Sequence, residues 1–261
     1  MSIIQGTAKG GGSTDFYAFP IGDSLRFDGS SYLSRTPSTA GSSTVWTLSM
    51  WLKRASTSTG SHYILARSNT HFSFGADNFA VNLRSSTTNH FYITNAVYRD
   101  LSSWYHFVVS CNLGNSGTDK LKVYLNGEII LVSNLSDTTY QNATTTLLNT
   151  VAEHAIGRYS GSEPYYVGYL ANIQLIDGQA LDQYFFGEFK DNIWVPYNAF
   201  STAGSGTATA SDADTATDSY GTNGFHLTFE DGIELLPVGG YAGNQNAFQD
   251  KSHNTNHWKI N

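Results

Sequence analysis

The chain is poor in charge, proline and cysteine. Only 13% of its 261 residues are charged, and it has five prolines and one cysteine. The single thiol, Cys111, excludes an intramolecular disulfide framework and a cysteine-based zinc cluster, so the fold does not rely on an oxidising compartment. With 14 Lys+Arg against 21 Asp+Glu, the net charge is −7, and no cationic run is longer than Lys53-Arg54. That excludes duplex nucleic acid and anionic membrane surfaces as partners. No apolar run approaches the roughly 20 residues of a membrane helix, so membrane insertion is not expected. The opening MSIIQGTAKGGGST has neither a charged n-region nor an apolar h-region, and no signal peptide is read in it.

Polarity is supplied by uncharged groups instead. Ser, Thr, Asn and Gly make up about two-fifths of the chain, and 14% of residues are aromatic. The expected surface is neutral and rich in hydroxyls and amides. The length suits one large β domain, or one domain with extensions. Residues 1–22 are Gly- and Ser-rich without periodicity and read as an N-terminal arm. The stretch 201–219, STAGSGTATASDADTATDS, has no apolar residue larger than alanine and cannot offset its ordering entropy. Residues 191–219 are therefore assigned as an extension and linker, residues 23–190 as the main body, and 220–261 as a C-terminal β tail.

Within the body the hydrophobic period is two, interrupted by Gly, Asn, Asp and Ser clusters, which is the pattern of many short strands. VWTLSMWLKR alternates Trp46, Leu48, Met50 and Leu52 against a wetter face of Thr47, Ser49, Trp51 and Lys53. SWYHFVVSC is apolar on both faces, as a central strand covered on both sides would be. KLKVYLNGEIILV turns at Asn126-Gly127, a strong hairpin signal. YVGYLANIQLI sets Val167, Tyr169, Ala171, Ile173 and Leu175 against Asn172 and Gln174. SLRFDG, SYLSR, YILAR, FSFG, FAVNLR and HFYIT complete the set, and only DQYFFGEF, residues 182–189, suits a short helical turn. Ten or so strands with short turns predict an all-β antiparallel sandwich or jelly roll.

The order SLRFDGSSYLSR, WTLSMWLKR, SWYHFVVSCNLGNSGTDKLKVYLNGEII, AIGRY and GYLANIQLIDGQALD resembles the laminin-G-like, concanavalin-A-like jelly-roll family over about residues 24–186. The pairing of Trp104-Tyr105-His106 with Leu125-Asn126-Gly127 carries most of that likeness. IDGQALD, FGEFKDNIWVPY and YGTNGFHLTFEDG resemble the version of this domain found in structural proteins of tailed phages. The resemblance implies a virion surface protein made in the host cytoplasm, with other virion proteins as partners and a homo-oligomer, a trimer foremost, as its state. It implies a tail-fibre or appendage component that adheres to a host-surface glycan, or a capsid decoration protein. Family members often carry an acidic residue where this chain has Asn172. The terminal QDKSHNTNHW is similar to the opening of such a domain; the tail is either a truncated second copy or a set of edge strands for this body or a neighbouring subunit.

A polysaccharide-degrading enzyme needs paired carboxylates. No E-x-D-x-x-E string occurs, and Glu230-Asp231 with Glu234 places its first two carboxylates on opposite strand faces, so no catalytic residue is expected. No nucleophile elbow, phosphate loop or H-E-x-x-H occurs either. His253 and His257 read as loop histidines, and His106 as a packed, hydrogen-bonded one. The family's rim calcium makes Asp28, Asp177, Asp182 and Asp250 candidate ligands, against the plainer expectation of Asx turns. For sugar, Trp51 is the first platform candidate, weighed against packing under a covering loop. Tyr159, Tyr165 and Tyr166, around SGSEP, come next.

Overall fold

In the computed structural model the described residues are 19–57, 60–159, 162–197, 220–229, 234–236, 245–248, 250–252, 254 and 256–261. Most of the arm and the whole of 201–219 lie outside them, as do Glu230, Asp231 and His253. Strands among the described residues are, in order, β1 Leu25–Asp28, β2 Leu33–Arg35, β3 Val45–Arg54, β4 His62–Arg67, β5 Thr70–Gly75, β6 Asn78–Ser85 and β7 Thr88–Val97. They continue as β8 Tyr105–Asn112, β9 Leu121–Leu125, β10 Glu128–Ile129, β11 Leu135–Asp137, β12 His154–Ile156, β13 Arg158–Tyr159 and β14 Ser162–Tyr165. The last are β15 Val167–Asp177, β16 Gly187–Lys190, β17 Ile193–Pro196, β18 Phe225–Leu227, β19 Glu234–Leu236, β20 Gln245–Phe248 and β21 Trp258–Ile260. The only helical segments described are 3₁₀ turns, one of them at Gln183–Phe185 inside DQYFFGEF. No helix among them is long and apolar enough to cross a membrane.

Two antiparallel sheets form the sandwich. The smaller has the order β1-β15-β3-β8-β9-β10, with β18 also pairing β15; the larger runs β11-β7-β6-β5-β4-β12-β2-β21-β20-β19. Their inner faces meet in one apolar core, where Phe79 stacks on Phe107 at 4.1 Å and Trp46 meets Phe72 edge-on at 5.6 Å. The fold is the all-β, antiparallel jelly-roll sandwich read from the sequence.

The tail belongs to this body. β18 continues the edge of β15 below β1, and β21 pairs β2, so the segment after residue 219 adds strands to both sheets. The described strands of 220–261 thus pair with this same body, one of the arrangements the sequence left open.

Two strand readings need correction. β15 does not alternate cleanly, because two of its residues, Asn172 and Ile173, oppose the single Met50 of β3 and Asn172 sits at φ 46°. This β-bulge puts Leu170, Ile173 and Leu175 in the core and turns Ala171 and Gln174, both buried, to the opposite face of the sheet. The wetter face of β3 is also dry: Thr47, Ser49 and Trp51 are buried. A second apolar cluster of Val108, Ile176, Phe186 and Tyr220 lies over that side of the smaller sheet, and residues 179–181 bond to Thr47 through Gln179 O at 2.8 Å and Leu181 N at 2.8 Å.

The pairing of the His106 and Asn126-Gly127 segments has a local cause. Asn126 and Gly127 both have positive φ, as a tight hairpin requires, and Asn126 Oδ1 accepts from His106 N at 2.8 Å. A Cβ on Gly127 would lie 2.3 Å from the Trp194 ring, so the glycine also makes room for that indole.

Candidate functional site

The outer face of the smaller sheet is sealed by rings. Trp51 stacks on His106 at 4.5 Å and 10°, and His106 faces Trp194 at 5.9 Å. Trp194 Nε1–H donates to His106 Nδ1 at 2.8 Å, which leaves Nε2 as the protonated nitrogen facing Ser49 Oγ at 2.9 Å. Trp51 is 6% exposed and cannot present a ring face to a sugar; it packs under cover. Tyr166 is also withdrawn. It is fully buried, donates to Lys53 O at 3.1 Å and meets Phe27 edge-on.

Of the four candidate calcium ligands only Asp177 and Asp250 share a network, through Arg35, Asn223 and Asn256, and each of the four carboxylates is engaged by protein donors. Asp28 Oδ1 accepts from Ser30 N, Ser30 Oγ and Ser31 N in an Asx turn, which holds its pKa down at about 2. Asp182 caps the 3₁₀ turn through Tyr184 N at 2.9 Å. Asp177 Oδ1 accepts from Ser42 N and Asn149 Nδ2, and Oδ2 from Asn223 N; burial raises its pKa. Asp250 accepts from His226 N, Ser252 N, Ser252 Oγ and Asn256 N. The cation near the last two is Arg35, whose guanidinium bonds Asn223 and Asn256 and whose charge interacts with both Asp250 and Asp177. These residues do not fit a calcium ion. Among the described residues no three His, Cys, Asp or Glu side chains gather as a metal site. His257 takes part in the same tail network, its Nδ1 accepting from Asp250 N at 3.0 Å.

Exposed Tyr184 and Phe189 pack on Trp194 on the outer side of the smaller sheet, and a second, half-buried aromatic group lies on the larger sheet. Period two directs Phe72 and Phe74 of β5 into the core and His71 and Ser73 outward. Register then aligns outward residues across neighbouring strands: Ala66, His71, Asn82 and Phe91 in one row, Tyr63, Ser73, Ala80 and Ile93 in the next. Ala66, His71, Ser73, Ala80 and Asn82 are buried; Tyr63, Phe91 and Ile93 are half-buried. Small and polar residues thus form a floor between bulkier walls, a shallow trough.

The short pair β13–β14 brings Tyr159 to the Tyr63 wall. Their centroids are 4.9 Å apart, and His71 meets Tyr63 edge-on at 4.8 Å. The Tyr159 hydroxyl donates to Asn69 Oδ1. Burial pushes the His71 imidazole down to about 4, so it is neutral at pH 7, with Ser73 Oγ and Asn82 Nδ2 near its two nitrogens. Tyr165 falls elsewhere, against Tyr32, over which Arg158 also stacks at 3.5 Å. Of the four tyrosine and tryptophan candidates, the structure brings only Tyr159 into this group; Tyr63, Asn69, His71 and Asn82 join it.

A family model described as the concanavalin A-like lectin/glucanases superfamily, of laminin-G type, matches residues 27–183. The chain belongs to that superfamily. Among solved structures, this lectin-type sandwich is similar to a Bacteroides ovatus protein described as a candidate carbohydrate-binding protein, with TM-score 0.59 and 12% identity. The match covers 91% of this chain but only 58% of that one. Two others are a heptameric pentraxin of Limulus polyphemus (TM-score 0.42, 16% identity, 60% of this chain and 76% of that one) and mouse laminin α1 domains LG4-5 (TM-score 0.42, 11% identity, 66% and 45%). No curated protein matches by sequence.

Buried imidazoles make the sandwich acid-sensitive. Burial pushes His106 down to about 3 and His71, His154 and His226 to about 4. Between these values and the ordinary 6.5 the unfolded chain binds more protons, so stability is complete above about pH 6.5 and lost as pH falls towards 4. Thermal melts at pH 7.5 and pH 4.5 should differ by roughly 10 °C, the acid value being lower. Equal melting temperatures would contradict the neutral, buried assignment.

Proposed function

We propose that the chain is a non-catalytic carbohydrate-binding jelly roll that takes saccharide in the trough of the larger sheet. The observation that carries this reading is Tyr63 and Tyr159, half-buried beside a floor of His71, Ser73, Asn82 and small residues. A pyranose has an apolar face for the half-buried rings of Tyr63 and Tyr159 and hydroxyls for the half-buried Asn69 amide and Tyr159 hydroxyl beside them. The superfamily supports the same class of ligand.

The finer reading is a phage tail-fibre or appendage adhesin on the virion surface, assembled as a homo-oligomer, with a host-surface glycan as target. It is supported by the likeness of FGEFKDNIWVPY and YGTNGFHLTFEDG to tailed-phage structural proteins and by the neutral, hydroxyl-rich composition. Capsid decoration is the second reading. It is favoured by exposed Val97, Ile129, Leu131 and Val132 around a cavity of about 270 Å³ lined by Tyr98, Leu125 and Ile130, where an apolar contact with another virion protein or a further copy would fit.

Binding to a panel of bacterial, plant and animal glycans tests the trough. Tyr63→Ala and Tyr159→Ala should each weaken the best ligand about five- to thirtyfold, from roughly 1–2 kcal/mol of lost ring contact. Tyr165→Ala should leave affinity unchanged. Loss of binding in Tyr165→Ala with retention in the other two would move the site to the Tyr32 side.

A further inference from the structure

β6 carries one more outward side chain beyond Asn82. Arg84 is two residues on, hence on the same face; the β5–β6 register carried on places its backbone opposite residue 69, while its guanidinium leans toward Asn89, its partner on β7. Its backbone N–H bonds Thr70 Oγ1 at 3.2 Å. Its guanidinium is fixed by two neutral acceptors: Nε–H donates to Ser86 O at 3.0 Å and Nη1–H to Asn89 Oδ1 at 2.8 Å. A guanidinium has five N–H donors in a planar fork, so among the described residues Nη2 and one Nη1 hydrogen have no acceptor.

Among the described residues its charge is also unpaired. The ion pairs among the described residues join Arg54 and Arg99 to Asp77, Lys122 to Asp119, Arg158 to Glu153 and Lys190 to Glu188, and Arg84 is in none of them. The guanidinium is near enough to act on the Tyr159 phenol: burial and Tyr63 raise that group's pKa, and Arg84 opposes them. An oriented fork with free donors, beside aromatic walls and a floor without carboxylates, matches a bidentate oxyanion acceptor on a sugar.

We infer that the trough selects carboxylate-bearing saccharides, such as uronic or sialic acid glycans, with Arg84 as the residue that sets this specificity. The inference rests on the sugar-binding reading above and narrows its ligand class. Tyr63 and Tyr159 hold the apolar face of the ring, and Arg84 receives the carboxylate through Nη1 and Nη2.

The test uses two matched pairs of probes: oligogalacturonate against its methyl ester, and 3′-sialyllactose against lactose, titrated by calorimetry at low and high salt. The acidic member of at least one pair should bind about tenfold or more tightly than its neutral partner, the advantage shrinking with salt, because a charge-assisted hydrogen-bond pair is at stake. Arg84→Gln should remove that advantage while leaving the neutral-sugar affinity that Tyr159→Ala weakens. Arg84→Lys should restore only part, since it keeps the charge and loses the fork. Unchanged circular dichroism and melting temperature in Arg84→Gln confirm that a folded protein is compared. If neutral members bind as well as acidic ones, the inference fails and the sugar-binding reading stands. If neither pair binds and no glycan of the wider panel does, both fail.

Discussion

Asp77→Ala should destabilise the protein by about 3–5 kcal/mol, because it strands a buried guanidinium. Arg54, 1% exposed, pairs with Asp77 Oδ1 at 2.7 Å, donates to Tyr98 O and lies over the Phe74 ring at 4.6 Å. Asp77 sits in the turn between β5 and β6 at φ 71°, while Arg54 ends β3, so one ion pair ties the two sheets together at the rim. Exposed Arg99 also bonds Asp77, at 2.9 Å, but solvent screens it, and Arg99→Ala should cost under about 1 kcal/mol. Urea unfolding of the two variants checks the contrast. Near-equal losses would mean that the buried arginine reaches water once its partner is gone.

Asp250→Ala should be as damaging, again by about 3–5 kcal/mol, since four buried or half-buried donors lose their acceptor together. The same carboxylate was a calcium candidate on sequence grounds, and the two roles predict different chemistry. A carboxylate whose oxygens are taken by His226 N, Ser252 N, Ser252 Oγ and Asn256 N holds the tail against β18 without metal. A melting temperature unchanged by chelator or by added calcium, together with the loss in Asp250→Ala, is the expected pair of results. A fall in melting temperature on chelation would return Asp250 or Asp177 to the metal reading.

The fold was legible because strand alternation is a local property. FSFG, FAVNLR and HFYIT fall in β5, β6 and β7, and Asn126-Gly127 makes the hairpin that its φ preferences dictate. What failed depends on what covers a strand. Thr47, Ser49 and Trp51 look like an open face until residues 179–186, Trp194 and Tyr220 are seen to close it. The β15 bulge was hidden for a related reason: one extra residue at Asn172 shifts the parity of all that follows, and nothing in ANIQ announces it.

The site was half legible. Tyr159 belongs to an aromatic, hydroxyl-rich stretch of the sequence, and the structure sets its ring beside Tyr63. His71 and Asn82 carry only the outward parity of their strands as a signal, and their meeting depends on the register of β5 against β6. Asp28, Asp182 and Asp250 show how often a carboxylate in a Gly-, Ser- and Asn-rich segment serves the backbone next to it instead of a ligand.

The claim that joins sequence, fold and function is that saccharide lies on the larger sheet between Tyr63 and Tyr159. A crystal structure of the protein with its tightest-binding oligosaccharide tests it most directly. The account predicts a pyranose ring packed on Tyr63 or Tyr159, above His71 and Asn82. A sugar seated on the Tyr32–Tyr165 side, or on the face around Trp194, would contradict it.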